Sequence, residues 1–115
     1  MSIYSEKVKE EKKELIENIC RANKMVIYIG YHFGVTDISI KGPSRLGNTV
    51  RARFWCMWFL RDCGYSWSEL GRLFNRHHSS VIKAIRVIED QLSINTDSYI
   101  KDYEELTELI TNIKK

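Results

Sequence analysis

The 115 residues hold no apolar run near the roughly 18 that a membrane span requires, so a membrane protein is not expected. The N-terminus reads Met1-Ser2-Ile3-Tyr4-Ser5-Glu6 and passes into a charge run, without the apolar stretch of a secretion signal. Cysteine occurs three times, at Cys20, Cys56 and Cys63, an odd number with no pairing pattern, which points to reduced thiols in a cytosol. Gly-x-x-x-x-Gly-Lys-Ser/Thr is missing, and with it the loop that cradles nucleotide phosphates. No nucleophile–base pair and no carboxylate dyad suggest an enzyme. The adjacent His77 and His78 would diverge on a helix, and no Cys-x-x-Cys or His-x-x-x-His accompanies them. Neither a metal nor another cofactor is expected.

What is present suits one small domain. Hydrophobic residues make up 43%, enough for a modest core, and all three tryptophans (Trp55, Trp58, Trp67) fall in one stretch. Net charge is only +3, but it is uneven. Residues 1–40 are neutral overall, residues 41–91 carry nine basic and four acidic side chains, and residues 92–115 are net acidic. A basic middle between neutral and acidic ends is an electrostatic footprint for a polyanion.

Apolar spacing predicts an all-α chain. Glu6 to Ala22 repeats at helical period, with alternating charge on its solvated face. Residues 1–24 read as an N-terminal charged amphipathic helix, and 25–115 as the domain proper. Met25 to Phe33 has strand-forming residues, but no second strand is available to pair with it, so a helix ending at Gly34 is expected. Lys41-Gly42-Pro43-Ser44, with the only proline, marks a turn. Asn48 or Thr49 could cap the next helix, which runs to about Cys63 and is apolar on every side at its centre. Ser66-Trp67-Ser68-Glu69 is a capping box opening a short helix, which Asn75 closes in a left-handed conformation. A helix from about His77 to Leu92 follows, with Val81, Ile85, Ile88 and Leu92 as its buried stripe. The last helix is expected from about Asp97 to Ile113, with Ile100, Tyr103, Leu106 and Ile110 facing the core.

Two helices joined by a tight turn, the second opening with small polar residues and carrying basic ones, describe a helix-turn-helix. Short side chains let a helix end approach base edges, and arginine and lysine around it bind phosphates without reading sequence. The run Gly71-Arg72-Leu73-Phe74-Asn75-Arg76-His77-His78-Ser79-Ser80-Val81-Ile82-Lys83-Ala84-Ile85-Arg86 resembles the signature of the C-terminal DNA-binding domain of DnaA, the bacterial replication initiator. Arg51-Ala52-Arg53, Trp67-Ser68-Glu69-Leu70-Gly71, Ile100-Lys101-Asp102-Tyr103 and Val35-Thr36-Asp37-Ile38 are also similar to it, so the likeness covers roughly residues 25–112. The resemblance implies that Arg45 enters the minor groove and that Arg53, Arg61 and Ser68 touch the DNA backbone. It implies that His77, His78, Ser79 and Ser80 meet bases and phosphates, with Arg76 and Lys83 in the surrounding basic ring. The family has Asp where this chain has His77, so a different base preference is expected; Val87 replaces a charged residue, and the turn takes the shorter of two family lengths.

The expected partner is double-stranded DNA, with a protein partner or self-association through the N-terminal helix as a further possibility, and a cytoplasmic, nucleoid-associated location. Without a nucleotide-binding loop, the expectation is a DNA-binding domain lacking the initiator's ATPase, as in a bacterial or phage relative. Two other readings stay open: a dimeric transcriptional regulator resembling Trp repressor, and an adaptor that has lost DNA contact. Arg51 could simply pair with a carboxylate, and His32 is left without a task.

Overall fold

The computed structural model describes residues 21–113, and these form six helices and no strand. The segment Glu6–Ala22, except its last two residues, and Cys20 lie outside the described residues. Helix α1 covers 21–33. Its buried residues, Ala22, Met25, Val26 and Ile29, repeat with helical spacing, which decides the helix over the strand for this β-branched stretch. The helix passes unbroken through residue 24. Gly34, at φ +71°, takes the left-handed position that ends α1, and the Val35 amide reaches back to the Gly30 carbonyl at 2.9 Å.

Helix α2, Asp37–Lys41, was not expected as a separate element. Thr36 caps it by accepting from the Ser39 amide at 3.1 Å, and the Lys41 ammonium donates to the Asn23 side chain of α1. Helix α3, Gly47–Asp62, starts earlier than the polar pair Asn48-Thr49 suggested. Leu46 holds the cap position and makes no side-chain cap bond, whereas Thr49 is buried. An Asn or Ser at such a position would contribute about 1 kcal/mol that leucine does not supply.

The centre of α3 is the most buried part of the molecule: Trp55, Cys56, Met57 and Leu60 are almost inaccessible. Burial of this kind stabilises by about 1.5–3 kcal/mol for each large apolar side chain. It also pushes the Cys56 thiol well up, so Cys56 packs as a small inert hydrophobe. Around α3 are folded α4 (Trp67–Leu73), which contributes Leu70, and α5 (His78–Ser93), which contributes Val81, Ala84, Ile85 and Ile88. Phe74, just past α4, is fully buried.

Helix α6, Asp97–Ile113, begins and ends as its sequence suggested. Leu106 and Ile110 are buried, and Tyr103 lies parallel to Phe59 with ring centroids 6.4 Å apart. Asp102 fastens α6 to α3. Its Oδ2 accepts from Arg51 Nε at 2.6 Å and from Trp55 Nε1 at 3.1 Å, and it pairs with Arg51 Nη2 at 2.6 Å. The Arg51 guanidinium also lies 4.2 Å over the Tyr99 ring. Among the described residues no helix is long and apolar enough to cross a membrane.

Candidate nucleic-acid interface

The α4–turn–α5 unit is fixed at three points. At its start, the Glu69 amide donates to Ser66 Oγ at 3.1 Å, and the Ser66 amide donates to Glu69 Oε1 at 3.0 Å. The Ser66 backbone and side-chain bonds hold the Glu69 carboxyl below its ordinary range. In the turn, Asn75 sits at φ +52° and the Arg76 amide donates to the Gly71 carbonyl at 2.8 Å. A Cβ at residue 71 would stand 2.7 Å from the Arg76 carbonyl oxygen, a backbone atom that cannot step aside, so only glycine allows this approach. Phe74, fully buried, anchors the turn to the core.

The third point is Arg76. Its Nη1 donates to the Phe74 carbonyl and its Nη2 to the Gly42 carbonyl, both at 2.7 Å. Burial lowers the Arg76 pKa, but a guanidinium keeps its charge under any ordinary condition. Arg76 therefore joins the turn before α5 to the loop between α2 and α3, two segments 34 residues apart in sequence.

His77 is the N-cap of α5. Its Nδ1 accepts from the Ser79 amide at 3.2 Å and lies 2.8 Å from Ser79 Oγ. With Nδ1 accepting, the ring proton sits on Nε2, so the outer edge of this ring is a donor. The His78 ring lies against it, centroids 4.1 Å apart. His77, His78, Ser79, Ser80 and Lys83 are all exposed, on the face opposite the buried stripe. Ser68, Arg72, Asn75, Arg76, His77 and His78 line one open groove of about 500 Å³. Ser80 and Lys83 border a second hollow, of about 220 Å³, between α5 and α3.

Not all the expected site residues converge. Arg61 is exposed but lies on another hollow, with Trp58, Asp62 and Glu89. Its guanidinium sits 4.1 Å over the Trp67 ring, and Nη1 donates to the Tyr65 carbonyl at 2.9 Å. Arg45 is exposed in the α2–α3 loop. Arg53 borders the second hollow, together with Ser80 and Lys83. It is only 5% exposed, and its guanidinium donates to the carbonyls of Ile40 (2.7 Å), Gly42 (3.1 Å), Ser44 (2.9 Å) and Ser39 (3.4 Å). Desolvation, followed by repulsion from Arg76, lowers its pKa. Through Nε and Nη2 this arginine satisfies the carbonyls of a turn. Arg72 and Asn75, which no sequence pattern set apart from their neighbours, line the same open groove as His77 and His78.

The architecture is a short capped helix, a glycine-tight turn and a longer helix with a polar, exposed first turn. A family model described as bacterial dnaA protein helix-turn-helix matches residues 22–88, which span α1 to most of α5. The chain belongs to the bacterial DnaA helix-turn-helix family. It is also similar to a chromosomal replication initiator protein, DnaA 1 of Chlamydia pneumoniae, at 26% identity over 118 residues. That match covers 98% of this chain and 26% of the initiator, so the chain spans about a quarter of the relative's length. Within this DnaA-type unit, α4 supports and α5 is the exposed second helix, and the family match takes in the α2–α3 loop that Arg76 ties to them.

Proposed function

We propose that this protein binds double-stranded DNA with sequence preference, setting the first turn of α5 into the major groove. The observation that carries this is the exposed group His77, His78, Ser79, Ser80 and Lys83, held by the His77 cap and by the Arg76 tie. Small polar and imidazole side chains at a helix start can reach base edges, while Lys83 supplies charge to the flanking phosphates. On this reading Arg45, in the tied loop, follows the adjacent minor groove, and Ser68, Arg72 and Arg61 meet phosphates. Family membership supports the same reading. Replication initiation, the role in the Chlamydia relative's name, is the setting proposed for this binding, in the cytoplasm at the nucleoid.

Binding measured against salt tests the reading. The observed association constant falls steeply as salt rises, with about 0.9 of log–log slope for each phosphate neutralised. Lys83→Ala lowers the slope by about 1 and weakens all sequences alike. A slope near zero would contradict groove binding.

Specificity has a separate test at His77. Aspartate is among the best N-cap residues, so His77→Asp preserves the start of α5. It replaces an Nε2–H donor with a carboxylate that can only accept. The profile of duplexes selected from a random pool is expected to change at one position, by the roughly 1–3 kcal/mol of one base contact, with the salt slope nearly unchanged. Identical profiles for the two proteins would remove His77 from the reading residues.

A further inference from the structure

Leu46 is the most costly residue of the α2–α3 loop to explain by stability. It is 74% exposed, so it gains almost nothing from burial. It also occupies the N-cap of the 16-residue α3 without offering a cap bond. An exposed leucine on a loose loop would be unremarkable. This loop is held: Arg53 takes the Gly42 and Ser44 carbonyls, Arg76 takes the Gly42 carbonyl from the other side, and the Leu46 amide donates to Ser44 Oγ at 3.4 Å. Its neighbour Arg45 is a second exposed side chain, and a basic one. The loop thus presents an apolar tip and a cation together, from a backbone tied to the turn before α5.

We infer that Leu46 is an apolar wedge against the minor groove, pressed onto sugars and a base step beside the site that α5 reads. The inference rests on the DNA-binding reading above. A cation with an apolar side chain is what a minor groove accepts: the phosphates and groove potential attract the arginine, and a base step opened on that side exposes stacking surface to the leucine. Partial unstacking bends the duplex toward the major groove, where α5 lies. A protein partner with an apolar pocket would use Leu46 but would leave base stacking untouched, and the test separates the two.

The full-length chain is titrated into a 30-base-pair duplex of the sequence it selects from a random pool, with 2-aminopurine placed at successive positions along the flank. Wild type is expected to raise fluorescence severalfold at one step. Leu46→Ala is expected to abolish that rise and to weaken binding about tenfold, with an unchanged melting temperature, because the side chain is exposed. Leu46→Asn is expected to raise the melting temperature, by capping α3, while losing the same signal; Leu46→Met retains it. If wild type binds the selected duplex but no flank position responds, or if Leu46→Ala binds and unstacks as wild type does, the wedge is overturned and DNA binding stands. If wild type binds no duplex, both readings fall.

Discussion

Arg53→Ala is expected to lower the stability of the fold by about 3–5 kcal/mol, and this loss should precede any effect on DNA. Hydrogen bonds to a charged group contribute about 1.5–3 kcal/mol each, and a buried acceptor left unpaired costs about 1–3 kcal/mol. Arg53 holds three carbonyls within 3.1 Å, those of Ile40, Gly42 and Ser44, and removal of its side chain also leaves a void at a position 5% exposed. Arg53→Lys should recover only part of the loss, since an ammonium on a flexible stem cannot reproduce the planar fork. Urea unfolding of the three proteins measures this. Where Arg53→Ala remains folded, its salt slope for DNA should match wild type. A variant with wild-type stability and a slope lower by about 1 would instead make Arg53 a phosphate contact, as the family resemblance alone implied.

The second large effect is expected at Asp102. Its carboxylate is the common acceptor for Arg51 and Trp55 Nε1, with 13% of its side chain accessible. Asp102→Ala leaves an indole N–H without its acceptor at the centre of the core and a half-buried guanidinium without its anion. Breaking one side of a largely buried pair costs about 2–4 kcal/mol. For a domain of this size that is a fall in melting temperature on the order of 10–20 °C. Asp102→Asn keeps an oxygen for the indole and loses the charge, so it should fall between. Because Asp102 and its partners Arg51 and Trp55 are not among the residues proposed to meet DNA, DNA affinity at low temperature is expected to change little. Calorimetry of both variants, followed by a binding isotherm at 10 °C, checks the two halves of the claim.

The sequence was most informative where structure is local. The capping box at Ser66 and Glu69, the left-handed Asn75 and the span of α6 depend on residues within a turn of one another, and each sits where its pattern put it. Three features were not visible for the opposite reason. Helix α2 has five residues, too few for apolar periodicity to register against a background of turn formers. The start of α3 at Leu46 defeats capping preference, because carbonyls held from Arg53, a residue inside α3 itself, set where the loop ends. Arg53 reads as one more surface cation until its partners, 9 to 14 residues earlier, are folded against it. The asymmetry between Arg51 and Arg53, two residues apart, is likewise tertiary: one finds a carboxylate 51 residues later, the other a turn behind it.

The bond from Arg76 to the Gly42 carbonyl has a consequence for the kind of DNA site this fold can accept. A reading helix and a loop on separate hinges would tolerate a variable gap between the bases each one meets. Here Arg76 ties the two together, which narrows the range of separations open to them. One base pair inserted between the two contacted stretches advances the far one by about 3.4 Å and turns it by about 35° around the duplex. The tie limits how far the loop tip can follow. On the proposed reading, the chain measures distance along DNA as strictly as it tests bases, and a site with correct letters at the wrong spacing is bound as a half site.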